Sequence, residues 1–201
     1  MSVQAIQTVP YCVWITGLSG AGKSTLAQAF FTGLQQQGTR AFVLDGDHLR
    51  QGLCSDLGFS DADRHENIRR AGAVARLLFD AGLVVICAFV SPFAADRDRV
   101  RSLFPAGRFI EVYLSTPLAT CAARDPKGLY ARAATDASLG LTGVQAPYEA
   151  PAAPELPLDT SQLSVHESLT ALTALVGRVR QSRQDPPPLA ALAAPDQIHS
   201  I

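Results

Sequence analysis

The 201-residue sequence predicts an α/β fold, with a central, mainly parallel sheet flanked by helices on both faces and a lid segment late in the chain. Short apolar runs alternate with stretches of helical period, as parallel strands joined by crossover helices require. One run, Leu83 to Val90, is too continuously apolar for a half-exposed strand and belongs at the sheet centre. A glycine-rich stretch, Gly17-Leu18-Ser19-Gly20-Ala21-Gly22-Lys23-Ser24, sits between the first apolar run and the first helical period.

Residues 1–10 have no periodicity and are expected to form a loose arm. Val13-Trp14-Ile15-Thr16 reads as a buried strand. After the glycine-rich stretch, Leu26, Ala29, Phe30 and Leu34 mark one face of a helix that ends near Gly38. Ala41-Phe42-Val43-Leu44 is a second strand, delivering Asp45-Gly46-Asp47 to the sheet edge that carries the glycine-rich stretch. Ser60-Asp61-Ala62-Asp63 has a capping-box pattern, and Ile68, Ala71, Ala75 and Leu78 follow at helical spacing until Gly82. The central strand ends at Ser91-Pro92, on the same edge. A charged helix is expected around Asp96 to Leu103, then a strand at Phe109 to Leu114. Thr116-Pro117 offers a capping hydroxyl ahead of a proline at the first helical position, opening a helix that runs through Cys121 to Arg124.

Residues 125–154 lose periodicity and carry Gly128, Gly140, Gly143, Pro147, Pro151 and Pro154; so long a segment is usually either functional, here as a lid, or disordered. Glu155 to Asp159 could form a last short strand, with Pro157 pointing to an edge or irregular position. Ser164 to Glu167 is a second capping box, followed by the stripe Val165, Leu169, Leu172, Val176 and Val179 of a closing helix. From residue 183 the chain turns rich in proline and alanine and is expected to be a disordered tail, leaving 11–182 as the single domain.

With 47% hydrophobic and 17% charged residues, the chain has the composition of one soluble domain with a sizeable core. A net charge of -1 gives no reason to expect nucleic acid or an anionic membrane as partner. Cys12, Cys54, Cys87 and Cys121 form no C-x-x-C pair and are expected to be buried free thiols. No leader pattern and no apolar run of membrane-spanning length is apparent, so a cytoplasmic location is expected.

The glycine-rich stretch has the phosphate-binding P-loop pattern in its required setting, strand before and helix behind, which disfavours a glycine-rich surface turn. Glycines let successive amides turn inward around phosphate oxygens, Lys23 adds a mobile positive charge, and Ser24 can place its hydroxyl on a magnesium ion. Gly17 to Thr25 are therefore the candidate ATP contacts within a P-loop NTPase fold. No Asn-Lys-x-Asp or Thr-Lys-x-Asp stretch is present to pair with guanine. A small-molecule kinase needs an acid near the acceptor hydroxyl, cations and a lid. Asp47, the arginines Arg50, Arg64 and Arg69, and residues 125–148 supply candidates for each.

Six blocks give a more specific reading. Leu44-Asp45-Gly46-Asp47, Leu57-Gly58-Phe59-Ser60, Asp63-Arg64 with Glu66-Asn67-Ile68-Arg69-Arg70, Ser91-Pro92-Phe93, Asp96-Arg97-Asp98 and Arg124 to Tyr130 resemble the blocks of the adenylylsulfate kinases, in that family's order, from about Val13 to Asp159. The resemblance implies ATP-dependent phosphorylation of the 3′-hydroxyl of adenosine 5′-phosphosulfate, with Mg²⁺, by a homodimer, and an ATP sulfurylase as a possible partner. By that resemblance Lys23, Asp47 and Ser91 are catalytic positions, and Ser24 and Asp47 hold the metal. Asp47 orients or deprotonates the acceptor hydroxyl. Arg50, Arg64 and Asn67 match residues that hold the phosphosulfate and ribose, and Arg124 matches a residue near the ATP adenine. Val90, Ser91, Lys127, Gly140 and Leu141 fall at substrate-side positions. Phe59 matches a ring that stacks on the substrate adenine, although it could instead be a hydrophobic staple. Ser91 matches a serine sometimes called a phosphoserine intermediate, which direct in-line transfer does not need.

The chain departs from the family at His48, where asparagine is usual. It also departs at Ala131 to Asp136, which has lost lid cations, and at Leu141, which replaces a second stacking phenylalanine. A related kinase with another acceptor and a non-catalytic nucleotide-binding partner of a sulfate-activating enzyme are the alternative readings. The intact Lys23, Ser24 and Asp47 argue against the second.

Overall fold

A computed structural model describes residues 9–181. The expected tail and residues 1–8 of the expected arm lie outside them. Five strands, β1 (Cys12–Gly17), β2 (Ala41–Asp45), β3 (Val84–Ala88), β4 (Phe109–Leu114) and β5 (Leu156–Leu158), form one parallel sheet in the order β2-β3-β1-β4-β5. β1 and β3 are buried throughout, as their apolar runs require.

Alternating residues of the central strands face opposite layers. Val13 and Ile15 pack with Leu26, Phe30 and Leu34 of α1 (Lys23–Gln36) and Leu172 and Val176 of α7 (Val165–Gln181). Cys12 and Trp14 face the other layer, with Ile68, Ala71, Ala75 and Phe79 of α3 (Asp61–Asp80) and Val100 of α4 (Ala94–Ser102). Phe79 takes the buried place expected of Leu78, which is only partly buried, and Ala27 that expected of Ala29. Ser60 caps α3 by accepting from the Asp63 amide at 3.2 Å, and Ser164 caps α7 in the same way through Glu167 at 3.2 Å.

Three local expectations are corrected. A short helix, α2 (Gly46–Gln51), follows β2 without a break; it buries no residue, so it left no apolar period to read. Thr116 does not cap α5 (Leu118–Arg124): its hydroxyl is paired at 2.8 Å with that of Thr160, and Pro117 stands at the cap position. The lid segment is partly regular, with α6 (Leu129–Ala133), a 3₁₀ turn at Ala137–Leu139 and a bridge between Thr142 and Ala146.

β5 is an edge strand, one of the two positions to which Pro157 points. Where β5 has not yet begun, the Glu155 carboxylate accepts the Glu111 amide of β4 at 2.7 Å in place of a strand carbonyl. Arg101 clamps Glu155 and Glu111 together, and Arg97 pairs with Glu111 at 2.9 Å in the interior. All four cysteines are buried free thiols. No helix among the described residues is long and apolar enough to cross a membrane.

Candidate functional site

Parallel strands end together, so the loops after β1, β2 and β3 meet at one edge and enclose a cavity of about 660 Å³. The P-loop forms one end. Gly20 has φ 76°, and a Cβ there would stand 2.8 Å from the Cys121 carbonyl, so only glycine lets the loop pass α5 this closely. Lys23 Nζ donates to the carbonyls of Gly17 at 3.0 Å and Leu18 at 2.7 Å. Burial, and then repulsion from Lys127, pull the ammonium pKa down to about 8. Ser24 donates to Asp45 Oδ2 at 2.6 Å, and the other carboxylate oxygen accepts the Asp47 amide, capping α2. Asp45 is the residue sequence reasoning missed. The Asp-Gly-Asp pattern offers two carboxylates, and only the exact end of β2 decides which stands beside Ser24. A serine hydroxyl with neighbouring carboxylates fits Mg²⁺, a hard ion that takes few protein oxygens and keeps water and phosphate as its other ligands.

Asp47 lies further along the cavity, with its carboxylate paired to Lys127 Nζ. His48 is exposed on α2 and does not line the cavity. Phe59 forms the far wall, 55% exposed, with the Arg50 guanidinium 4.3 Å from its ring centre. The staple alternative fails, because the residue that would close the staple is Arg64, whose Nε donates to the Phe59 carbonyl at 2.9 Å. Arg64 also donates to Thr142 Oγ1 at 2.7 Å and the Gly140 carbonyl at 2.5 Å, so this guanidinium, buried beside Asn67, holds the lid as well as lining the cavity. Leu141 lines the cavity while nearly buried, at 9% exposure. Arg69 is not part of this site: it pairs with Glu66 on the exposed face of α3, as Arg70 does with Glu66 and Asp56.

Val90 and Ser91 line the cavity between the two ends. Ser91 is strained at φ 40°, and its hydroxyl is committed inside the protein, accepting from Trp14 Nε1 at 3.1 Å and donating to Thr16 at 2.9 Å. The expectation of a chemical role for Ser91 meets a hydroxyl whose one proton is already spent. Arg124 donates to the hydroxyl and carbonyl of Thr160 at 2.8 and 2.6 Å, beside the P-loop. The Tyr130 hydroxyl, another unforeseen tie, donates to the Ser19 carbonyl at 2.9 Å and fastens the first part of the lid to that loop.

The sequence model of the adenylylsulphate kinases matches residues 9–159. Among curated relatives, the adenylyl-sulfate kinase of Marinobacter nauticus is 56% identical over 165 residues, 82% of this chain and 83% of the relative. That of Shewanella denitrificans is 57% identical over 165 residues, 82% and 80% of the two chains. Among solved structures, the Mycobacterium tuberculosis APS kinase in complex with AMPPNP and APS is similar with a TM-score of 0.80 at 45% identity, covering 84% of this chain and 98% of that one. A gluconokinase from Sinorhizobium meliloti, at 18% identity and a TM-score of 0.61, shares the fold.

Proposed function

The chain belongs to the adenylylsulfate kinase family, and we propose that it transfers the γ-phosphate of ATP to the 3′-hydroxyl of adenosine 5′-phosphosulfate, giving 3′-phosphoadenosine 5′-phosphosulfate and ADP. The observation that carries this is the continuity of one cavity from the P-loop, past Asp47, to Phe59 and the lid, so that a donor and an acceptor can meet end to end.

On this reading, Lys23 leaves the Gly17 and Leu18 carbonyls to neutralise the transferring phosphoryl group. Asp47 exchanges its Lys127 partner for the acceptor hydroxyl, which it orients and from which it takes the proton. Phe59 offers the exposed face of its ring to the acceptor adenine, with Arg50 behind it. Arg64 has five N–H groups and spends three on Phe59, Gly140 and Thr142, keeping two for an anion beside Asn67. Ser24 with Asp45 and Asp47 would hold Mg²⁺, which would supply positive charge to offset that of the triphosphate. Arg124 sits where the ATP base can lie against it, and the cavity face of the Val90-Ser91 backbone serves the acceptor.

A cytoplasmic homodimer supplied by an ATP sulfurylase completes the proposal; a hexameric APS kinase from Thiobacillus denitrificans, 31% identical and of which this chain covers 29%, is among the assembled relatives. Light scattering of the purified protein reads the oligomer. ADP release measured with and without adenylylsulfate tests the activity, with the product identified by mass. Strict dependence on adenylylsulfate is expected, and ADP release indifferent to it would overturn the reading.

A further inference from the structure

The far end of the lid is fastened by a residue whose role the motifs did not announce. Glu149 is clasped to the turn after β3: its amide donates to the Pro92 carbonyl at 2.8 Å, its carboxylate accepts the Ala94 amide at 2.7 Å, and its carbonyl accepts from Arg97 at 2.7 Å. Tyr148, just before it, stacks 6.0 Å from the Tyr113 ring and reaches the Thr16 hydroxyl at 2.9 Å.

Counting protons fixes the direction of that bond. Thr16 has one hydroxyl proton, and it goes to the Val90 carbonyl at 2.7 Å, since a carbonyl can only accept. Thr16 therefore accepts twice, from Ser91 at 2.9 Å and from Tyr148. Burial pushes the Tyr148 pKa up, so the phenol keeps its proton and remains a donor. Thr16 lies one residue before Gly17, and Ser91 stands in the acceptor wall.

We propose that Tyr148 is a positioning residue, its hydroxyl tying the lid to the Thr16–Ser91 pair and thereby setting where Gly140, Leu141 and Thr142 stand over the acceptor. The link is short and stiff. The Leu141 carbonyl accepts the amides of Val144, Gln145 and Ala146, the Gly143 amide donates to the Ala146 carbonyl at 2.7 Å, and one residue separates Ala146 from Tyr148. Loss of the tie should loosen the lid over the acceptor while leaving the P-loop, which Tyr130 serves separately, in place.

The inference rests on the kinase reading above, and its test separates the two. Parental turnover with adenylylsulfate reports on the reading, whereas ratios between variants report on Tyr148. Tyr148→Phe keeps the ring and loses only the hydroxyl; the Michaelis constant for adenylylsulfate should rise about fivefold, the effect of one lost hydrogen bond, with that for ATP changing less than about twofold. Thr16→Val, which also strips the Val90 carbonyl and the Ser91 hydroxyl of their partner, should raise the adenylylsulfate constant at least as far, Thr16→Ser should behave as the parent, and adding Tyr148→Phe to Thr16→Val should raise it no further. An unchanged constant in a Tyr148→Phe protein of parental thermal midpoint, equal changes for both substrates, or additive effects would each overturn the proposal. Should Thr16→Val fail to fold, Tyr148→Phe and Thr16→Ser decide. Tryptic cleavage after Arg132 in the lid gives a readout without turnover: faster cutting of Tyr148→Phe is expected, and parental susceptibility counts against the tie.

Discussion

The two ends of the cavity are built on different principles. The donor end is centred on one run of consecutive residues, Gly17 to Thr25, set on a strand at the middle of the sheet, with Asp45 and Arg124 added from outside it, and its Lys23 bonds to carbonyls of its own loop. The acceptor end is assembled from side chains far apart in sequence: Arg64 reaches Thr142 and Gly140 across 78 and 76 residues, and Lys127 reaches Asp47 across 80. A site made of backbone tolerates little variation. One made of side-chain ties can drift, and of the positions where the sequence was expected to depart from the family, Leu141 and Ala131 to Asp136 fall in the lid, whereas His48 stands outside the cavity.

If the donor end is a self-contained backbone cradle, Lys23→Ala should cost the most in rate and the least in stability. We expect kcat to fall on the order of 10³-fold, as when a charge-stabilising donor is removed. The thermal midpoint should hold or rise, because a buried ammonium with its pKa drawn down to about 8 is poorly solvated. A large fall in the midpoint would break the comparison by making Lys23 a structural strut. Asp47→Asn comes next, with kcat down about 10²-fold and a smaller change in acceptor binding; parental activity would reassign this carboxylate to holding Lys127.

The smallest effect sharpens the contrast through pH. A bound triphosphate favours the charged lysine, so above pH 8, where the free loop has shed the Lys23 proton, binding must take one up. Affinity for AMPPNP should therefore fall as pH rises above about 8, by at most tenfold per unit. Calorimetry in two buffers of different ionisation heat should register uptake of close to one proton, and no uptake there would show that Lys23 does not meet the phosphates.

What could be read from the sequence follows the same division. The P-loop, the individual strands, both capping boxes and the special position of Pro157 were legible because each rests on neighbours within a few residues. Asp45 was missed because two carboxylates in Asp-Gly-Asp compete for one role, and α2 because a helix that buries nothing leaves no pattern. Thr116 was misread because its partner, Thr160, lies 44 residues away. Arg64 was read as a substrate cation alone, since nothing local announces that three of its donors are spent on Phe59 and the lid. Tyr148 is a single aromatic residue in a proline-rich stretch, and only the fold brings it to Thr16.

Pro157 has a consequence for how these molecules meet one another. An edge strand offers a row of free amides and carbonyls on which another chain can template itself, and the danger grows with concentration. β5 is only three residues long, its middle residue has no amide hydrogen, and Asp159 follows it with negative charge. That margin of the sheet is closed to strand addition, so crowding should not drive filament growth from it.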